Sequence, residues 1–270
     1  MKKCIIFGNC QCTGVRKFLE FSNFYDKYEI YQYANWELIQ NNNMVISIHN
    51  IQTADLIIYQ PLADIYNCYS TNKSNPNSFF NLLNENCNTI SFPRIHNNSI
   101  FPLYHKQQSK IDIYGKINNL PNSIENLIYM YDNNLLDFDF ENRFKQNYSK
   151  SKVKETNTDI QIIDFIYDNI QKHKLFLTQD HPTSFIFNKL TSSISDILDL
   201  EYNYELGITQ DENITQLQDS VYNSCEKQYP ISRYSINHFG FNYIKDEDIS
   251  ADIFYKNNII DYYSRNSHLI

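Results

Sequence analysis

The most concentrated chemistry in this 270-residue chain lies in its first dozen residues, at Gly8-Asn9-Cys10-Gln11. Helical spacing begins near Thr13, so Cys10 stands just ahead of a helix, where unpaired N–H groups and the positive end of the dipole favour a thiolate. Gly8 lets the chain turn sharply out of the preceding strand, and Asn9 and Gln11 supply amide donors where an oxyanion or acyl oxygen would need them. A free cysteine also serves as a small buried hydrophobe, and that alternative stands for Cys10. Cys4 is read as core and Cys12 as packing beneath the turn. Cys10 and Cys12 have no further His or Cys at zinc-site spacing, so no metal is expected.

The second chemical residue is His181. A short strand delivers it through Thr178-Gln179-Asp180, and Pro182 fixes the chain before the next helix, a placement that suits a general base. The competing role is a hydrogen-bonded structural histidine. Adjacent residues on an extended strand point to opposite faces, so Asp180 is not expected to orient the His181 ring. His96, His105 and His238 fall in loop-like stretches without assigned roles, and His49, His173 and His268 read as surface residues.

These residues need a frame. Lys3-Cys4-Ile5-Ile6-Phe7 reads as a buried strand, Thr13 to Phe21 as a helix, and Tyr28 to Tyr33 and Ala54 to Tyr59 as further strands. The second of those ends at Gln60-Pro61. Asn77 to Asn86 reads as a helix and Thr89 to Phe92 as the next strand, giving an α/β fold with a doubly wound, mostly parallel sheet and additional helical segments. In such sheets ligands bind at the carboxyl ends of strands, which places Gly8-Asn9-Cys10-Gln11 and Gln60 on one pocket. Helices are predicted over Ser123–Tyr131, Thr158–Lys172 and Ser184–Leu198, with a strand at Leu175–Leu177. Asn142 to Asn157 reads as an exposed linker with a solvated lysine face. Gln228–Ser232 and Asn237–Phe241 read as turns. One domain over 1–270 is expected, its core about 1–200 followed by a helical and irregular extension.

Composition narrows the functions. The 23 Lys and Arg against 31 Asp and Glu give a net charge of −8, so no broad basic face is expected for nucleic acid or an anionic bilayer. The apolar runs are far shorter than the roughly 18 residues of a membrane span, and the N-terminus does not read as a signal peptide. Six cysteines without paired knuckles favour isolated thiols in a reducing, cytoplasmic setting.

Taken together, the strand opening into Gly8-Asn9-Cys10-Gln11, the strand ending in Gln60-Pro61 and the later His181-Pro182-Thr183 resemble the WcbI-type family of polysaccharide-biosynthesis acetyltransferases, in order over most of residues 3–200. The resemblance implies a fold related to the SGNH hydrolases, coenzyme A binding and acetylation of capsular or other surface sugars. Cys10 would take the place of the hydrolase serine and His181 that of its base. The SGNH position three residues before the histidine holds Asp, whereas this chain has Thr178, so a Cys-His dyad is expected instead of a triad. The implied partners are acetyl-coenzyme A as donor and a sugar or glycan hydroxyl as acceptor, with Gly8, Arg16 and Lys17 at the start of the helix receiving the coenzyme. A thiol esterase on the same fold and a non-catalytic carbohydrate-binding protein are the alternatives.

Overall fold

A computed structural model describes residues 1–40, 45–101, 123–207, 229–244 and 249–266. His105, Cys225, Gln228 and His268 lie outside the described residues. The chain forms two compact units: unit 1 comprises Met1–Ile95, Ser151–Ile166 and Pro182–Glu226, and unit 2 comprises His96–Lys150, Tyr167–His181 and Lys227–Ile270.

Unit 1 is built on four parallel strands, β1 (Lys2–Gly8), β2 (Tyr28–Ala34), β3 (Leu56–Tyr59) and β4 (Asn88–Ser91), in the order β2-β1-β3-β4. Ile5 pairs with Tyr31 on one side and Ile57 on the other. The continuous apolar runs arise because both faces are covered. Ile5, Phe7 and Ile57 pack with Leu38 of α3 (Asn35–Gln40), Ile51 of α4 (Ile48–Gln52), and Phe79 and Phe80. Cys4, Ile6, Leu56 and Ile58 alternate onto the opposite face and are also fully buried. On unit 1's other helical layer, α1 (Gln11–Phe18) packs against α8 (Ser184–Ile197), with the Phe18 and Phe187 rings 6.0 Å apart. A Cβ on Gly14 would overlap the Phe187 ring, so this close approach needs glycine.

The doubly wound parallel sheet is as expected, but several elements differ. Asn77–Asn86 makes only a 3-10 turn, Phe79–Leu82, after Pro76: Ser78 accepts from the Phe80 N–H, and Asn84 Nδ2 turns back to donate to the Ala54 carbonyl at 2.6 Å. The expected helix from Thr158 shrinks to α7 (Ile163–Asn169), because the preceding residues bond to the end of β4. Asp159 Oδ2 accepts from the Ser91 N–H and hydroxyl, and Ile160 N donates to Ser91 O at 3.0 Å. The buried Glu155 carboxylate then accepts from Ile162 N and Ile163 N and so caps α7.

The expected linker at Asn142–Asn157 is mostly helix, α6 (Phe140–Glu155). It contains no Gly or Pro and is rich in Lys, Arg and Glu, so low hydrophobicity there marks a solvated helix. Lys145, Lys150 and Lys154 are exposed as expected, while Lys152 bonds Glu155 and Asp164.

In unit 2, Arg233 ties the C-terminal helix Ile249–Asn266 to α5 (Ile124–Asp132): its guanidinium lies 4.7 Å from the Tyr131 ring centre and meets Asp252 at 2.6 Å. Tyr131 donates its hydroxyl to the same carboxylate, and burial pushes that phenol well up. Asn237–Phe239 belong to a helix, Arg233–Phe239, which Gly240 ends in the left-handed conformation. A short strand β5 (Phe176–Thr178) pairs with β6 (His181–Pro182).

Candidate active site

The order β2-β1-β3-β4 reverses direction between β1 and β3, and a crevice opens beyond the carboxyl ends of strands at such a reversal. Gly8-Asn9-Cys10-Gln11 follows β1 and Gln60 follows β3, so sheet topology brings these segments together. Gln60 N donates to Phe7 O at 2.9 Å, and its side-chain Oε1 accepts from Asn9 N at 2.9 Å. Gln60 Nε2 donates to Gln11 Oε1 at 2.9 Å. Gln11 in turn donates from Nε2 to Ile95 O at 2.6 Å and accepts from Ile95 N at 3.1 Å. Both glutamines are buried. Their amides therefore fasten the ends of three segments into one preorganised loop.

Asn9 Oδ1 accepts from Gln11 N at 2.9 Å, closing a side-chain turn around Cys10. Among the described residues, Asn9 Nδ2 is left as the amide donor of this loop without a protein partner. Gly8 is needed for space, not for an unusual backbone angle: an added Cβ would sit 2.6 Å from Cys12 Sγ and 2.8 Å from Gln60 Oε1.

Helix α1 begins two residues earlier than its spacing suggests, which makes Cys10 its N-cap. Thr13 N donates to Cys10 O at 3.1 Å, and the sulfur makes no capping hydrogen bond. The half-buried thiol thus stands at the positive end of the α1 dipole, which favours an anion, while the N–H groups of Gln11, Cys12 and Thr13 are taken up by Asn9 Oδ1, Asn9 O and Cys10 O. Cys12, two residues on, is fully buried, and desolvation pushes its thiol far up. Cys4 behaves likewise. Arg16 and Lys17 lie in the last turn of α1 and not at its start. At 1.5 Å per residue, Arg16 is about 9 Å along the axis from Cys10.

In unit 2, Thr178 Oγ1 meets His181 Nδ1 at 2.6 Å. Thr178, three residues before His181, thus meets this ring through a neutral hydroxyl. Asp180 faces another imidazole, with Oδ1 2.8 Å from His96 Nδ1. Local sequence could not reveal the His96 pair, because 84 residues separate its members. No group of three or more His, Cys, Asp or Glu able to hold a metal ion occurs among the described residues.

The family described as polysaccharide biosynthesis enzyme WcbI matches residues 3–203. This chain belongs to the WcbI family. No curated protein matches it. A solved structure of WcbI, described as a novel polysaccharide biosynthesis enzyme, is similar with a TM-score of 0.66 at 16% identity, covering 98% of this chain and 94% of that one. That structure is described as the native protein without a disulfide bond between coenzyme A and one of its cysteines. The WcbI match spans the Cys10 loop, β1 to β4 and both His181 and Asp180. Among the described residues no helix is long and apolar enough to cross a membrane.

Proposed function

We propose that this WcbI-family protein is an acetyltransferase that moves acetyl from acetyl-coenzyme A to a sugar hydroxyl in capsular or other surface polysaccharide biosynthesis. The observation that carries the reading is Cys10 at the N-cap of α1, half-buried and braced by Gln60 and Gln11, beside a cysteine that burial makes inert. That the similar WcbI structure is described by reference to coenzyme A and one of its cysteines, as the form without a disulfide between them, supports the choice of donor.

In the first half-reaction a base, the role that the resemblance gives to His181, takes the proton of the Cys10 thiol, and the sulfur attacks the acetyl carbonyl. The carbon–sulfur bond to coenzyme A breaks, and the departing thiolate receives the proton from that base. Asn9 Nδ2 is the donor assigned to the oxyanion, with the positive end of the α1 dipole beside it, while Gln11 and Gln60 hold the loop in place. In the second half-reaction the sugar hydroxyl attacks the acetyl thioester, gives up its proton to a base, and releases Cys10 as thiolate.

Arg16 and Lys17 remain assigned to the phosphates of coenzyme A. The pantetheine arm separates the reacting sulfur from the phosphates by more than the rise of α1, so cations at its far turn suit this ligand. Gly8 serves coenzyme binding indirectly, by letting Cys12 and Gln60 close beneath the loop. A cytoplasmic site of action agrees with the five free cysteines among the described residues.

Incubation with acetyl-coenzyme A, with and without a panel of sugars and nucleotide sugars, tests the assignment. Thiol release that rises with a sugar, together with an acetylated sugar by mass spectrometry, is the expected result. Release at one rate irrespective of sugar would make the protein a thioesterase, and sugar binding without turnover would make it a binding protein.

A further inference from the structure

Within unit 1, the four residues Phe92-Pro93-Arg94-Ile95 run from the end of β4 to the cysteine loop. They are fastened at both ends. Phe92 N donates at 2.9 Å to the carbonyl of Tyr59, the last residue of β3. At the other end the Gln11 side chain takes both backbone groups of Ile95. The segment therefore crosses the carboxyl ends of the sheet, from β3 to the residue beside Cys10, along the edge where such sheets bind ligands.

Phe92, Pro93 and Ile95 are buried, and Arg94 is the exposed residue of the four. Buried neighbours on both sides fix the backbone from which its guanidinium extends. Arg94 and Cys10 each adjoin one member of the Gln11–Ile95 pair, a Cα step of about 3.8 Å in either case. In the segments that frame the crevice, residues 8–11, 60–61 and 92–95, Arg94 is the one Lys, Arg, Asp or Glu. The other groups there are amide, thiol and apolar side chains. In a chain of net charge −8, a cation at such a place is the feature that selects an anion. A guanidinium is planar and permanently charged, and its fork of N–H groups matches phosphate oxygens two at a time.

Which phosphate it takes follows from where the reacting atoms lie. The phosphates of coenzyme A are a pantetheine arm away from its sulfur, and Arg16 and Lys17 at the far turn of α1 suit them. In a glycosyl diphosphate the first phosphate is bonded directly to the sugar ring whose hydroxyl attacks, so it stays near Cys10 during transfer. We propose that Arg94 binds the phosphate of the acceptor, and that the acceptor is a glycosyl diphosphate instead of a neutral glycan. The assignment rests on the acetyltransferase reading and names its substrate class. A nucleotide and a polyprenyl carrier present the same diphosphate to Arg94, and the experiment separates them.

The test gives the protein one sugar in three forms, as its nucleotide diphosphate, its polyprenyl diphosphate and its methyl glycoside, with acetyl-coenzyme A as donor. The wild type should show a lower KM for the diphosphates than for the methyl glycoside, and the lower of the two diphosphate values identifies the carrier. Arg94→Gln should raise KM for the diphosphates about 10- to 100-fold, as expected for loss of a charge-assisted hydrogen bond, and not for the methyl glycoside. Arg94→Lys, which keeps the charge but not the fork, should recover part of the loss. Added salt should weaken diphosphate binding more in the wild type than in Arg94→Gln. Calorimetry with the nucleotide diphosphate sugar, without donor, reads the same site apart from turnover. Weaker binding to Arg94→Gln supports the phosphate site even if no acetyl is transferred to any acceptor, a result that would remove the acetyltransferase reading alone. A diphosphate KM unchanged in Arg94→Gln, or equal to that of the methyl glycoside in the wild type, would overturn the proposal and leave the acetyltransferase reading intact. Loss of coenzyme A affinity alone in Arg94→Gln would also overturn it, by moving Arg94 to the donor.

Discussion

Cys10 and Cys12 are two residues apart and meet opposite environments, one at a helix end and half-buried, the other enclosed. Iodoacetamide applied to the native protein should therefore modify Cys10 and the exposed Cys68, and spare Cys4 and Cys12. Peptide mapping reads the outcome, and labelling of Cys12 at the rate of Cys10 would contradict the burial. His181 is held by a neutral hydroxyl, so Thr178→Val should lower the rate of thiol release by loosening the ring, without the full loss of about 10²- to 10⁴-fold expected for His181→Ala. Equal rates in Thr178→Val and wild type would show that the hydroxyl does not position the ring. Much at this scale was legible from residue types: the Gly8-Asn9-Cys10-Gln11 loop and the unusual Thr178 both stand out in the sequence. The engagement of Gln11 and Gln60 with the backbone was not, since nothing in a glutamine announces which distant carbonyl it will meet.

Elements were legible wherever apolar periodicity is strong. β1, β3, α1 and α8 fall within a few residues of their expected places, because parallel strands buried on both faces and amphipathic helices write their environment into the chain. α6 was missed because a solvated helix and a solvated loop share a composition, and the start of α7 was missed because a single buried carboxylate, Glu155, decides it. The close fit of the elements around the loop yields a stability prediction. Gln11→Leu would strand the N–H and C=O of buried Ile95, at about 1–3 kcal/mol for each group left unpaired. Gly14→Ala would force the Phe187 ring away and should cost about 1–3 kcal/mol through overpacking. Urea unfolding measures both, and a Gly14→Ala midpoint equal to that of the wild type would show that α1 and α8 do not approach so closely.

At the scale of the whole molecule, three separate segments make each unit. A fragment ending at Lys150 lacks α8, so Phe18 and the rest of the buried face of α1 would lose their cover. It should expose apolar surface and aggregate, which size-exclusion chromatography would show, whereas a monomeric, folded fragment would contradict the division. Such interleaving is not visible in periodicity, which reports the environment of a segment but not its partner. The net charge of −8 was legible, and it does not oppose a local phosphate site. Coenzyme A at about 100 times its Kd should stabilise the fold by about 2.7 kcal/mol, raising Tm in a thermal scan. No shift and no calorimetric heat at millimolar ligand would remove the cofactor from the account.

The most direct test of acetyl transfer through Cys10 compares wild type and Cys10→Ala for acetylation of a sugar acceptor, with intact-mass detection of the acetyl adduct. Removing one sulfur from a loop leaves the packing of Cys12, Gln11 and Gln60 in place, so the variant should fold and bind coenzyme A as the wild type does. The account predicts an acetyl group on Cys10 in the wild type and loss of transfer in the variant. Full activity of Cys10→Ala would contradict it, making the sulfur a packing group and requiring acetyl to pass directly to the acceptor.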